Sequence, residues 1–128
     1  MHAARLEHVN ITVRDPVATA NRLHRLLGWE IRWQGEAMDG GHSVHVGRDD
    51  CYLALYAPPA TLTEGSSSYT TPNGLNHVAV VVDDLDEAER RVRADDLVPG
   101  ERQVYEPGER FYVDLEDGLE FEFVRYDA

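Results

Sequence analysis

Two histidines of this chain occupy matching places. His8 stands in Leu6-Glu7-His8-Val9-Asn10-Ile11-Thr12-Val13, and His77 in Leu75-Asn76-His77-Val78-Ala79-Val80-Val81-Val82, at a constant offset of 69 residues. Near the C-terminal end, Glu120 and Glu122 alternate with Phe121 and Phe123. Imidazoles and carboxylates move protons near neutral pH and ligate divalent ions. A lone histidine on a strand is an ordinary polar residue. Two at matching repeat positions, with carboxylates on the closing strand, make a candidate site. Asn10 shares the parity of His8. Arg110, Tyr112 and Asp114 alternate with Phe111, Val113 and Leu115, so one parity could face a substrate. Arg110 could clamp an anion or pair with an acid. Tyr52 and Tyr56 are either substrate walls or aromatic packing. His42 and His45, three residues apart, fall on opposite strand faces, which leaves His45 alone as a site-facing candidate. His24 reads as solvated and Cys51 as a small core residue. Trp29 and Trp33 read as core or interface.

These residues need strands to hold them. Val9, Ile11 and Val13 alternate with His8, Asn10 and Thr12, and Val78, Val80 and Val82 with His77, Ala79 and Val81. Period two means a strand with one apolar face. Each strand runs into a helix signal. Asp15-Pro16 is an N-cap with proline at the first helical position, Ala20, Leu23, Leu26 and Leu27 form a stripe, and Gly28 is a C-cap. In the second copy Asp84 caps with Glu87 as in a capping box, Ala88, Val92 and Leu97 form the stripe, and Pro99-Gly100 ends it.

Three strands are expected after each helix: residues 29–34, 43–47 and 51–57, then about 102–105, 110–114 and 119–126. The expected class is α+β: two βαβββ modules, about residues 5–57 and 75–126, in one domain spanning 1–128. A connector of about residues 58–74, rich in Ser, Thr, Pro and Gly, joins them. Its length is unusual in a compact domain and suggests a crossing between modules or an exchange between chains. One helix covers one sheet face, so each module keeps an uncovered face. His8, Asn10, His77, Glu120 and Glu122 should point to a cavity shared by those faces.

Composition narrows the function classes. Asp plus Glu is 24 against 12 Lys plus Arg, a net charge of −12 at pH 7. That field repels nucleic acid and anionic membranes. All the basic residues are arginine, which removes Schiff-base chemistry and a P-loop lysine. The single cysteine removes an intrachain disulfide and a cysteine-based zinc site. With no apolar leader at Met1-His2-Ala3-Ala4-Arg5, the expectation is a cytoplasmic protein.

The pattern resembles the vicinal oxygen chelate superfamily of glyoxalase I, extradiol dioxygenases, fosfomycin-resistance enzymes and bleomycin-binding proteins. The matching pieces are Leu6 to Pro16, Leu26-Leu27-Gly28-Trp29, Asn76 to Asp84, and Tyr112 to Glu122. The resemblance implies a metal ligand from the first strand of each module and one from the last strand: His8, His77 and Glu122, with Glu120 the alternative to Glu122. It also implies a homodimer and a small-molecule substrate with neighbouring oxygens. The fourth ligand of glyoxalase I falls on Ala54, which cannot ligate. Two histidines and one glutamate then look like the three-ligand members, whose ion could be Zn, Fe, Mn, Ni or Co. Glu120, Tyr56 or a metal-bound hydroxide is the candidate base, with Asn10, Tyr52, Tyr56, Arg110 and Tyr112 lining the substrate. The alternative is a metal-free binding protein of the bleomycin-resistance kind, sequestering a cationic drug. A third possibility is an interaction domain with a decayed site.

Overall fold

The computed structural model describes residues 2–127. The chain forms two compact units, divided between Thr63 and Glu64, inside the connector that the sequence marks. The first holds β1 (His8–Thr12), α1 (Pro16–Leu27), β2 (Glu30–Glu36), β3 (His42–Gly47) and β4 (Tyr52–Ala57). The second holds β5 (Val78–Val81), α2 (Leu85–Ala94), β6 (Gln103–Tyr105), β7 (Gly108–Asp114) and β8 (Glu120–Tyr126). Strand order is β1-β4-β3-β2 in one sheet and β5-β8-β7-β6 in the other. The first strand of each unit runs parallel to the last, and the other pairs are antiparallel. This is the expected α+β class, with each βαβββ unit forming its own four-stranded mixed sheet. Among the described residues no helix is long and apolar enough to cross a membrane.

The helix caps form where the sequence places them. The Asp15 carboxylate accepts from the Ala18 amide at 3.1 Å, proline opens α1, and Gly28 closes it at φ 73°. A left-handed residue there favours glycine because it has no Cβ. Asp84 accepts from the Glu87 amide at 3.0 Å, while the Glu87 carboxylate goes to Arg91 at 2.6 Å. Leu97 corrects the expected stripe: α2 ends at Ala94, before it. The cause is Asp95-Asp96. Carboxylates oppose the negative helix terminus, and Asp96 takes φ 62°, a left-handed conformation that aspartate tolerates. The Leu97 amide then closes the turn on the Val92 carbonyl.

Each helix covers one sheet face with a dry core. In the first unit Leu23 and Leu26 of α1 meet a face built from Val44, Val46, Leu53 and Leu55, all buried. In the second, Leu85, Ala88 and Val92 of α2 belong with buried Phe111, Val113, Phe121 and Phe123. The Phe111 and Phe123 rings stack at 5.0 Å. Each such side chain contributes about 1.5–3 kcal/mol when withdrawn from water. These residues fix the register, because a one-residue slip would move every apolar side chain to the opposite face. Cys51 corrects a second expectation: it is exposed, not core. Its carbonyl accepts from the Arg48 amide in the β3–β4 turn, and the strand begins one residue later.

Candidate functional site

Register identifies what stands on the face opposite each helix. In the first unit His8 pairs with Tyr52, Asn10 with Ala54, and Thr12 with Tyr56, while Ala54 is opposite His45 and His45 opposite Trp33. His8 and Tyr52 stack at 4.9 Å, Tyr52 and His45 at 4.7 Å, and Trp33 tilts against His45 at 5.0 Å. A row of rings therefore crosses the sheet, one per strand. Trp33 is half exposed at its end. The register shifts between Ile31 and Trp33, and Arg32 within that irregularity places its guanidinium 4.5 Å from the Tyr52 ring centroid. Such irregularities re-aim side chains, and period-two reading of the sequence misses them.

Glu7 lies just before β1 and ties this row together. Its Oε1 is 2.8 Å from His8 Nδ1 and accepts the Tyr52 hydroxyl at 3.2 Å. These hydrogen bonds, from His8 first and then Tyr52, hold the Glu7 carboxyl below the usual carboxylate range. Burial pushes the His45 imidazole down, and the nearby charge of His8 adds to this. Tyr56 faces elsewhere: its hydroxyl donates to Asp39 in the β2–β3 turn, and that bond pushes the phenol up. A phenol so held is a poor base at neutral pH.

The second unit presents charges instead of rings. Ala79 pairs with Glu122, Glu122 with Tyr112, and Asp114 with Glu120. His77 Nε2 lies 3.1 Å from Glu122 Oε1, and His77 Nδ1 lies 3.7 Å from Glu120 Oε1. The Glu122 side chain is only 8% exposed. Its other oxygen accepts from Arg110 Nη1 at 2.8 Å, and the Arg110 guanidinium sits 4.4 Å from the centre of the Tyr105 ring. Tyr112 meets His77 edge-on at 5.4 Å, and burial pushes its phenol up. Tyr69 comes from the connector and donates to Glu120 Oε1 at 3.0 Å. It sits in a single helical turn, Ser68–Thr70, and Gly74 packs so closely on the Ser68 backbone that a side chain there would collide with it.

Of the residues singled out in the sequence, the fold thus brings His77, Glu120, Glu122, Arg110 and Tyr112 together in one unit. It brings His8, Tyr52 and His45 together in the other, with Asn10 opposite Ala54. Sequence reasoning missed Glu7, Arg32 and Tyr69. Glu7 was signalled by adjacency to His8; Arg32 and Tyr69 depend on a strand irregularity and a linker turn. His24 donates Nδ1 to the Trp29 carbonyl at 2.7 Å, away from these clusters. Among the described residues no group of three or more His, Cys, Asp or Glu side chains is arranged to hold a metal ion.

The family model named Glyoxalase/Bleomycin resistance protein/Dioxygenase superfamily matches residues 5–123. The chain belongs to this superfamily. Solved members share its fold at low identity. A glyoxalase/bleomycin resistance protein/dioxygenase domain from Frankia sp. EAN1pec is 20% identical with a TM-score of 0.83, covering 98% of this chain and 94% of that one. The genomically encoded fosfomycin resistance protein FosX from Listeria monocytogenes is 16% identical with a TM-score of 0.75, covering 98% and 96%. TnmS3, an antibiotic binding protein from Streptomyces sp. CB03234, is 14% identical with a TM-score of 0.76, covering 99% of both chains. No curated protein matches the chain. Superfamily membership places the chain among small-molecule proteins, which include both enzymes and binders.

Proposed function

We propose that this superfamily member is a divalent-metal-dependent enzyme acting on a small substrate with two neighbouring oxygens. His8, His77 and Glu122 are the proposed ligands. The observation that carries this reading is the 3.1 Å approach of His77 Nε2 to Glu122 Oε1. Two donors each about 2.1 Å from one ion, at right angles, lie about 3.0 Å apart, so this pair fits one edge of a coordination shell. His8 fits as a ligand by type, since its Nδ1 is already committed to Glu7 and Nε2 is left to coordinate.

Bound there, a Zn, Fe, Mn, Ni or Co ion would supply Lewis-acid stabilisation of charge on the substrate oxygens. The chain's own groups do the rest. Glu120, facing His77 and tethered by Tyr69, is the proposed proton acceptor when substrate is bound. Tyr112 and Arg110 border the carboxylate on β7, while Asn10 and Tyr52 stand on the sheet face that carries His8. The proposal includes a homodimer in the cytoplasm, on the strength of the resemblance and the single cysteine.

A second reading has its own observation. Arg110 already neutralises Glu122 at 2.8 Å, which weakens that carboxylate as a ligand and suits a metal-free binder of small cationic drugs. Elemental analysis of untagged protein, beside His8→Ala, His77→Ala and Glu122→Ala variants, separates the two. About one ion per chain, lost in each variant, supports the enzyme reading. No ion in the wild type, even after each metal is added back, overturns it and leaves the binder.

A further inference from the structure

Arg32 of the first unit stands without a counter-ion. Its guanidinium lies 4.5 Å from the centre of the Tyr52 ring, and among the described residues it makes no hydrogen bond or ion pair. Glu7 feels its charge, but Glu7 Oε1 is engaged by His8 Nδ1 and the Tyr52 hydroxyl. Resting on a ring uses the positive charge of a guanidinium and none of its five donors. An exposed arginine is ordinarily loose in solvent. This one is held in place with its donors unspent, so little order is lost when they bind something.

Trp33, its neighbour in sequence, serves the same face. Consecutive side chains of a regular strand point to opposite faces. Here Ile31 pairs with Val46, on the helix side, and Trp33 pairs with His45, on the other. Arg32 is the extra residue between them, and the irregularity leaves both Arg32 and Trp33 on the side that carries Tyr52 and His45. Two glycines make room there. A Cβ at Gly35 would come within 2.7 Å of Trp33 Cζ2, so the indole lies down against the Gly35 backbone. A Cβ at Gly47, which pairs with Tyr52, would come within 2.7 Å of the Tyr52 Cβ. Trp33 is nonetheless 49% exposed. An indole backed by bare backbone and open to water is a flat surface on which a second ring can stack.

We propose that Arg32 and Trp33 recognise a flat aromatic carboxylate, the ring lying on the exposed indole and the carboxylate taking the unspent donors of Arg32. A planar guanidinium fork matches a carboxylate with two parallel bonds, so the pair selects for charge and flatness together. This rests on the reading above that the face carrying Tyr52 takes a small molecule, and it names the class of that molecule. It needs no metal ion. It is opposed to the cationic drug of the second reading, since Arg32 repels a cation.

The test uses the full chain, freed of metal, and 2-naphthoate as the probe. Beside it stand the neutral 2-naphthamide, the cationic 2-naphthylmethylammonium and the non-planar cyclohexanecarboxylate. Calorimetry reads affinity, and the Trp33 indole N–H resonance, assigned with Trp33→Phe, reads contact. 2-Naphthoate should bind most tightly of the four and shift the Trp33 signal. Arg32→Ala should weaken it about 10–100-fold and change 2-naphthamide far less. Trp33→Ala should weaken both of these naphthyl compounds. Circular dichroism checks that each variant is folded. Equal affinity for 2-naphthoate in wild type and Arg32→Ala overturns the role of Arg32. A Trp33 signal unmoved at saturation overturns the stacking surface. Tighter binding of 2-naphthylmethylammonium than of 2-naphthoate overturns the anionic class and favours the cationic-drug binder. Binding of none of the four overturns the proposal as a whole. Metal is absent throughout, so elemental analysis decides the metal reading separately.

Discussion

The two units have the same strand order, the same parallel closing pair and the same aspartate helix cap, yet their faces away from the helices carry opposite chemistry. In the first, His8, Tyr52 and His45 stack ring against ring and Trp33 tilts against His45, so that rings meet across four strands. In the second, the equivalent ground holds His77, Glu120, Glu122 and Arg110, joined by charge-assisted contacts. The divergence centres on one register position. Ala54 pairs with Asn10 in one unit, and Glu122 pairs with Ala79 in the other. Both positions are nearly inaccessible, so alanine there closes a dry surface, while glutamate must find a cation or an ion. The helix-facing side sets register and topology in both units. The opposite side is left free for chemistry, and one unit has taken the ionic half of it.

Core truncations test whether the helix-facing sides really are equivalent. Phe123 and Leu55 hold corresponding positions, pairing with Val80 and Ile11, and both are fully buried. Phe123→Ala should cost about 4 kcal/mol and Leu55→Ala about 3 kcal/mol in chemical denaturation, the difference reflecting the lost stack on Phe111. A larger cost at Leu55 would mean that the first unit, not the second, holds the better-packed core.

The next effect lies on the chemical face. Glu122→Ala leaves Arg110, itself only 14% exposed, without its carboxylate. The expected loss is about 3 kcal/mol, and adding Arg110→Met should recover a good part of it, because the unpaired charge is then gone too. No recovery in the double variant would show that Glu122 matters through other contacts. No such cost exists at Ala54, which is where the two units part.

The caps are smaller and should be alike. Asp15→Ala and Asp84→Ala each remove one carboxylate–amide bond at a helix start, and each should cost about 1 kcal/mol. Thermal melts that differ between them by more than about twofold would break the equivalence of the two helices.

Much of this was legible in the sequence, for identifiable reasons. Alternation at Val9, Ile11 and Val13 gave β1, and Asp15-Pro16 with Gly28 bounded α1 to the residue, because these signals act within a few positions of themselves. The same holds for Ala54 filling in the first unit the place that Glu122 fills in the second, which follows once the two halves of the sequence are aligned. Leu97 was misread because its spacing continued the stripe, while the break depended on two aspartates at a helix terminus. Cys51 was misread because composition favours burial, while the turn put it outside the sheet. Arg32 and Tyr69 were invisible, since a strand irregularity and a connector turn leave no period in the sequence. Which groups face the imidazole nitrogens is likewise a tertiary fact, except at Glu7, where the neighbour in sequence is also the neighbour in space.

The smallest expected effect distinguishes the two faces by their response to acid. His45 is the group on the ring-lined face whose imidazole is pushed down, first by burial and then by the positive charges of His8 and Arg32. A base with a lowered folded value favours its neutral form in the native state. The unfolded chain takes up the proton more readily once the pH falls below about 6.5. Stability from this source is therefore intact above about pH 6.5 and is lost as the pH falls from there through the folded value. Proton NMR of the His45 ring should show a midpoint below that of free histidine. His8→Ala should move it only part of the way back, because burial is the larger cause. Full return to the ordinary value in His8→Ala would make charge, not burial, the controlling factor. The ring-lined face would then be as electrostatic in character as the face that carries Glu122.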